Sequence, residues 1–338
     1  MLITGGAGFI GCNAANAFLR QGHQVVVYDD LSRPGSRHNL AWLRQNHGRG
    51  FAFVQGDVRD YEALAAAVAG AEAVLHLAAQ VAVTTSVEQP RQDFEINALG
   101  TFNLLEAVRR RAPEAAVLYA STNKVYGGLE SLRTVETESR YALADYPAGI
   151  PESFPLDFHS PYGCSKGAGD QYAIDYAHIY GLRSVSLRQS CIYGRRQFGV
   201  EDQGWVAHFI ISALGGRPIT IYGDGKQVRD LLHVDDLIWA YQRVIARIDQ
   251  VKGTAINLGG GPANTFSVWA EFGPLLEELI GRPVAAETDP GWRPGDQRVF
   301  VADIRRAAEW LDWRPEVALL AGIHDLTAWV RANPALFS

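Results

Sequence analysis

Met1-Leu2-Ile3-Thr4-Gly5-Gly6-Ala7-Gly8-Phe9-Ile10-Gly11 opens the chain, and the order of residue types in this string decides the fold. An apolar run ends at a threonine, glycines recur at positions 5, 8 and 11, and helical spacing follows, so the string reads as strand, turn and helix. Glycines so placed let backbone approach a pyrophosphate, the new helix presents unpaired N–H groups, and Gly11 lets helix and strand pack closely. A tight turn without a ligand would use the same glycines, and the wider context separates the two readings. Eighteen residues beyond Gly11, Asp29 ends the second apolar run, where a carboxylate accepts the ribose hydroxyls of a dinucleotide. That carboxylate would repel the 2′-phosphate of NADP, so NAD is the expected cofactor; Arg33 and Arg37 are the nearby groups that could reach a phosphate instead.

The alternation continues outward. Residues 1–4, 24–28, 51–55, 73–76 and 115–120 are short apolar runs bounded by Gly or Asp, the pattern of buried strands. Residues 9–21, 39–47, 60–69 and 86–111 carry helical spacing, the last interrupted early by Pro90. Strand and helix alternating in this way build right-handed βαβ units, hence a Rossmann-type, doubly wound parallel α/β sheet. Helix 161–181 and strand 183–188 complete it, which assigns 1–188 to an NAD-binding domain with pieces returning from about 228–260. Residues 189–338 are expected to be mostly a smaller, interleaved substrate domain: helix 203–214, strand 219–222, segment 228–234, helix 235–248, strand 254–258, helix 266–280, strand 299–302 and two last helices. Residues 127–159, with prolines at 147, 151 and 155, exceed an ordinary loop and are a candidate lid that would line the sugar pocket along with 81–85, 123–124 and 189–193.

Composition narrows the function. The 338 residues carry 31 basic and 37 acidic groups, a net charge of −6, without the basic excess that nucleic acid or an anionic membrane attracts. Three cysteines are an odd number in a long chain, the pattern of free thiols in a reducing compartment, and no apolar run reaches 18 residues. The expectation is a cytoplasmic protein without a leader segment. Nine histidines show no paired ligand spacing, so no metal is expected.

Tyr162-Gly163-Cys164-Ser165-Lys166 places a phenol and an ammonium four residues apart, on one face of a helix. A phenol is a poor base at neutral pH, but a lysine charge within several ångströms lowers its pKa. Thr122, after the fifth strand, stands where the ends of parallel strands meet and can hydrogen-bond the same substrate oxygen. Thr122, Tyr162 and Lys166 are therefore the candidate catalytic residues.

These residues resemble the extended short-chain dehydrogenase/reductase family of nucleotide-sugar enzymes over essentially the whole chain. Ser121-Thr122-Asn123-Lys124-Val125-Tyr126-Gly127, Leu156-Asp157-Phe158-His159-Ser160-Pro161 running into Tyr162, Asp202-Gln203-Gly204-Trp205-Val206, and Asp296-Gln297-Arg298-Val299-Phe300-Val301-Ala302-Asp303 resemble its CDP-hexose 2-epimerase branch, of the CDP-paratose/CDP-tyvelose type. The resemblance implies that Tyr162 is the base, that Lys166 holds the nicotinamide ribose and the phenolate, and that Thr122 orients the sugar hydroxyl. The cofactor set expected on this reading is Gly5, Gly8, Phe9, Ile10, Gly11, Asp29, Asp30, Leu31, Ser32, Arg33, Asp57, Val58, Leu77, Ala78, Ala79, Gln80, Asn97 and Ser190, together with Tyr162 and Lys166. The substrate set is Thr122, Asn123, Cys191, Gln203, Gly204, Trp205, Val206, Gln227, Arg229 and Arg293, of which Gln227 and the two arginines would hold the diphosphate. Cys191 departs from the asparagine that many relatives place near that diphosphate, and a thiol cannot replace an amide's donor and acceptor. A buried apolar thiol is the other reading of it.

The implied chemistry is inversion at C2 of a CDP-sugar, a 3,6-dideoxyhexose or glucose, with NAD tightly bound and recycled. A C2 hydrogen has no neighbouring carbonyl to acidify it, so oxidation to a 2-keto sugar must precede inversion. Asn123-Lys124 stands where 4,6-dehydratases carry Asp-Glu, which disfavours dehydration. A UDP-sugar 4-epimerase shares every catalytic residue and stays open, as does a non-catalytic NAD sensor, which should tolerate Tyr162→Phe. The resemblance also implies a homodimer or homotetramer, with helices 86–111 and 161–181 packed against their symmetry mates.

Overall fold

The computed structural model describes residues 1–293 and 295–337. Its centre is a seven-stranded sheet: β1 (Leu2–Thr4), β2 (Val26–Asp29), β3 (Ala52–Gln55), β4 (Ala73–His76), β5 (Ala116–Thr122), β6 (Arg183–Gln189) and β7 (Ala255–Leu258). The spatial order is β7-β6-β5-β4-β1-β2-β3, and every neighbouring pair is parallel. Because β2 and β4 flank β1, the chain winds away from β1 in both directions and leaves a crevice at the strands' C-terminal ends.

Alternation along the strands explains the layers. Ile3, Leu75 and Leu118 point to one face and pack with Ala15 and Phe18 of helix Phe9–Arg20 and with Leu237, Tyr241 and Val244 of helix Val234–Ala246. Their neighbours Leu2, Val74 and Val117 point to the other, against Leu64 of helix Tyr61–Val68 and Leu104 and Val108 of helix Gly100–Arg111. Side chains of successive strand residues alternate between faces, so one apolar run supplies both layers. Burying each such leucine or valine contributes about 1.5–3 kcal/mol. A third cluster joins helices Trp205–Leu214, Phe272–Ile280 and Leu319–Ala332 into a second lobe, through Phe209, Ile210, Phe272, Leu276, Ile323 and Leu326.

Several elements differ from expectation. The helix expected over 86–111 is four pieces: Val83–Glu88, Pro90–Phe94 with proline in its first turn, a π-helical turn Glu95–Leu99, and Gly100–Arg111. The helix expected over 266–280 begins as strand Thr265–Ser267 and becomes helical only at Phe272, because Ser267 Oγ accepts the Glu271 N–H and a Glu271 carboxylate oxygen accepts the Ser267 N–H, both at 2.9 Å. Segment 228–234 is a strand, Val228–His233, paired in parallel with Cys191–Tyr193 and Val299–Phe300 and antiparallel with Thr265–Ser267. The strand expected over 299–302 is only Val299–Phe300.

The 127–159 insertion does not line the main cavity. It forms a hairpin, Thr134–Glu136 with Tyr141–Leu143, and buries Leu129, Tyr141, Leu143 and Ile150 against Val228, Val299 and Phe300. Arg140 grips Glu271 at 2.6 Å, Lys226 meets Glu136 at 2.8 Å, and the Ile150 N–H reaches Val301 at 2.7 Å. The composition that suggested a lid belongs to a segment with a small apolar core of its own. Among the described residues no helix is long and apolar enough to cross a membrane.

Candidate active site

A cavity of about 480 Å³ runs from the glycine turn, across the ends of β1, β4 and β5, to the second lobe. At its entry Gly5 adopts φ +66°, and a Cβ there would stand 2.8 Å from the Ala78 nitrogen; at Gly11 it would stand 2.2 Å from the Gly5 carbonyl oxygen. The helix that follows has neither a side-chain cap nor an acid in its first turn, leaving its first N–H groups and partial positive charge turned to the cavity. Asp29 is 6% exposed, with Oδ2 accepting the Ala7 N–H at 2.9 Å and Oδ1 the Leu31 N–H at 2.8 Å. Burial raises its pKa against those hydrogen bonds. Each oxygen keeps acceptor capacity for a hydroxyl. Arg33, one of the two groups that could have met a 2′-phosphate, donates across the cavity to Gln203 at 2.8 Å, and Arg37 is exposed outside it. A glycine cradle that a Cβ would fill, an uncapped helix start and a buried carboxylate fit NAD.

Of the expected cofactor residues, Gly5, Gly8, Phe9, Ile10, Gly11, Asp29, Asp30, Ser32, Arg33, Asp57, Val58, Leu77, Ala78, Ala79, Ser190, Tyr162 and Lys166 line this cavity; Leu31, Gln80 and Asn97 do not. Leu31 is the φ +62° corner that returns its N–H to Asp29. Gln80 folds onto Ala82, and Asn97 bonds the Gln80 backbone at both its N–H and its carbonyl, 2.9 Å each, while reaching Asp93 at 3.0 Å and Ser165 at 3.2 Å. Asn97 therefore splices the chain after β4 to helix Ser160–Tyr180 from the π-helical turn.

Thr122, Tyr162 and Lys166 all face the cavity. Tyr162 hangs from helix Ser160–Tyr180, its N–H donating to Ser86 Oγ at 3.2 Å. Burial pushes its phenol up to about 12, opposed by a hydrogen bond with Thr122 and by the Arg33 charge. The lowering expected from Lys166 is not seen, because the Lys166 ammonium donates to the Ala120 carbonyl at 2.5 Å and lies 4.3 Å from the Tyr119 ring centre. Burial pulls Lys166 down to about 7, against Asp170 and Asp93. Beneath the site His76 is held between Thr4 at 2.7 Å and Thr101 at 3.1 Å, and burial pulls it to about 3, so it stays neutral.

Of the expected substrate residues, Asn123, Cys191, Gln203, Gly204, Trp205, Val206, Arg229 and Arg293 line the cavity with Thr122. Gln227 does not: it is 2% exposed and its amide donates to the Tyr222 carbonyl at 2.6 Å, which makes it a brace of the adjoining turn. Arg229 pairs with Asp296, and Arg293 donates to the Glu201 carbonyl at 2.8 Å while stacking 4.1 Å from the centre of the Tyr222 ring. Burial raises the Cys191 thiol. Sequence reasoning missed Glu201, Phe198, Arg196 and Asp296 as wall residues, and Asp93 beneath the site, whose carboxylate accepts from Ser165 at 2.5 Å. Only the Pro90 break hinted that the chain near Asp93 bends inward.

A doubly wound sheet whose Ser-Thr strand end faces a Tyr-x-x-x-Lys helix across a dinucleotide crevice defines an extended short-chain dehydrogenase/reductase. Residues 1–259 match the NAD dependent epimerase/dehydratase family, and the chain belongs to it. It is 46% identical over 336 residues to CDP-paratose 2-epimerase from Salmonella typhi, covering 97% of this chain and 98% of that one. It is 34% identical to UDP-glucose 4-epimerase from Mycolicibacterium smegmatis, with 98% of both chains covered. The crystal structure of Thermus thermophilus UDP-glucose 4-epimerase in complex with NAD superposes with a TM-score of 0.81 at 31% identity, over 98% of each chain.

Proposed function

We propose that the protein inverts C2 of a CDP-hexose, of the CDP-paratose/CDP-tyvelose type or CDP-glucose, through a transient 2-keto sugar. The observation that carries this reading is the end-to-end 46% identity to CDP-paratose 2-epimerase. The shared cavity of Thr122, Tyr162 and Lys166 supports it. Bound NAD supplies the acceptor and then the donor of the hydride. Asp29 would hold its adenosine ribose, and the glycine turn with the first N–H groups of helix Phe9–Arg20 its pyrophosphate. Tyr162 takes the proton of the C2 hydroxyl and returns it after the opposite face has been reduced. A phenol near 12 must fall by several units to do this at neutral pH, and the group one helical turn away that can lower it is the Lys166 ammonium, once turned from Ala120. Thr122 donates to the reacting oxygen and keeps the sugar at the phenol while Arg229 and Arg293 anchor the nucleotide arm.

The cofactor is returned to its starting state in each turnover, so NAD stays bound. Helices Val83–Glu88, Pro90–Phe94, Gly100–Arg111 and Ser160–Tyr180 expose Val87, Phe94, Phe102, Tyr172, Ile179 and Tyr180, an apolar face that a symmetry mate would cover in a cytoplasmic homodimer.

The test is a proton NMR time course in D2O with CDP-paratose, CDP-glucose and UDP-glucose in separate tubes, following the H1–H2 coupling for C2 and the H3–H4 and H4–H5 couplings for C4. Inversion at C2 with protium retained there is expected in a CDP-sugar tube. Deuterium at C2 would sink the redox route. Change at C4 of UDP-glucose alone would replace the reading with 4-epimerisation.

A further inference from the structure

Lys124 is the one cation of the cavity wall that follows directly on the catalytic strand end. It lies in the 3-10 turn Asn123–Tyr126, its backbone N–H on Thr122 Oγ1 at 3.3 Å, so its position is tied to that of the catalytic hydroxyl. Its ammonium donates to the Gly295 carbonyl at 3.0 Å, which uses one of three donors. Three other elements turn charged or titratable groups towards it: Asp296 from the loop after 291, Arg229 from strand Val228–His233 and Cys191 from strand Cys191–Tyr193. Asp296 is already paired with Arg229, and burial keeps the Cys191 thiol protonated, so around Lys124 one carboxylate faces two cations and this corner of the wall is left with positive charge. An unbalanced ammonium on a cavity wall is costly unless an anion comes to it.

Resting on the reading above, we propose that Lys124 binds the sugar-proximal phosphate of the nucleotide diphosphate and sets the pivot about which the sugar turns over between oxidation and reduction. With Thr122 at the C2 oxygen, a donor anchored beside it meets what C1 and C3 carry. In a 3,6-dideoxyhexose C3 carries no oxygen, whereas the C1 oxygen leads straight to phosphate. An ammonium also suits a pivot: its three donors rotate freely around a point charge, whereas a guanidinium fork fixes the plane of its partner. Arg229 and Arg293 then hold the arm and Lys124 the joint.

The test titrates CMP, CDP, UMP and UDP by calorimetry into the NAD-loaded wild type, Lys124→Met and Lys124→Arg. Lys124→Met should weaken CDP about ten- to a hundredfold, the range of a lost charge-assisted hydrogen bond, and leave CMP within about twofold. Lys124→Arg should recover most of the CDP affinity. In the wild type the preference for CDP over CMP should fall as pH rises through about 8, where burial sets the ammonium's pKa, and in Lys124→Met it should not change with pH. Equal weakening of CMP and CDP would overturn the proposal and make Lys124 only a brace for Gly295. An unchanged CDP affinity would overturn it outright. If the wild type takes uridine nucleotides instead, the cytidine reading fails, and the UMP–UDP pair judges Lys124 in the same way.

Discussion

Burial drives the Tyr162 phenol up to about 12, with only Thr122 and Arg33 opposing. Removing its hydroxyl removes the proton acceptor without touching the nucleotide arm. Tyr162→Phe should therefore lower kcat by about 10²–10⁴-fold while CDP and NAD still bind, as stopped-flow turnover and calorimetry would show; a variant with more than a tenth of wild-type kcat would remove Tyr162 from the chemistry. Tyr162 and Lys166 were legible on one cavity wall through a spacing that is local: a phenol and an ammonium four apart need only a helix to share a face. Asp93 was not, since its partner Ser165 is 72 positions away and nothing in its neighbours marks it as the carboxylate under the site. Gln227 shows the opposite failure. A polar residue beside an arginine in a glycine-rich turn has the composition of a ligand, yet the turn takes its amide for itself at Tyr222.

At the scale of elements, the segments that cross the cavity matter most. Residues 195–204 lie over the loop after β2: Arg33 donates to Gln203 at 2.8 Å, Asn13 and Asn39 donate to the Arg195 and Arg196 carbonyls at 3.0 and 3.3 Å, and Phe198 stacks on His38 with centroids 5.7 Å apart. Gly35 sits so close beneath Phe198 that a Cβ would meet the ring at 2.1 Å. On the proposed reading, this clasp closes the adenosine end of the crevice. Phe198→Ala should speed NAD release about tenfold, the factor supplied by 1.4 kcal/mol of lost contact, measured by cofactor fluorescence after dilution; an unchanged rate would mean that the clasp does not retain the cofactor. The core strands and helices of the NAD-binding half were readable because short apolar runs and helical spacing are local signals. The clasp, the hairpin in 127–159 and the strand at Thr265–Ser267 were not, because each is held by partners far along the chain, as Arg140 is by Glu271, 131 positions on.

Across the whole molecule, two buried carboxylates respond oppositely to pH, Asp170 tying helix Ser160–Tyr180 to β5 and β6 and Asp230 gathering three separate segments. Asp170, fully buried, accepts from Arg188 at 3.0 and 2.9 Å, from Ser121 at 2.7 Å and from Ser186 at 2.5 Å. Burial works to raise its pKa, but Arg188 and the two hydroxyls overcome it and hold it below the usual carboxylate range. Its contribution is present above the ordinary aspartate pKa and is lost as pH falls through the depressed folded value. Asp170→Asn leaves Arg188 buried without its counter-charge and should cost about 3–5 kcal/mol in urea unfolding at pH 7. A loss below about 1 kcal/mol would contradict the pairing.

Asp230 sits where the two lobes meet. It accepts from Ser190, which follows β6, from the Gly261 N–H at 3.1 Å beyond β7, and from the Ala302 N–H at 3.3 Å. Two of the segments that it gathers leave the seven-stranded sheet and the third follows strand Val299–Phe300, an interleaving that no local periodicity could reveal. Burial without a cation pushes this carboxyl up to about 6. The native state thus binds a proton that the unfolded chain has already lost between about pH 4 and 6, and its contribution to stability is full below 4 and lost as pH rises through 6. Holding the charge at neutral pH costs roughly 3 kcal/mol on this basis. Asp230→Asn keeps a carbonyl acceptor and has no proton to lose. Subtracting its unfolding free energy from that of the wild type at each pH from 4 to 7.5 isolates this group from every other titration. The difference should fall by a few kcal/mol over that range, with its midpoint near pH 5. A difference that stays flat would show that Asp230 is no more acidic unfolded than folded and that its three donors fully offset its burial.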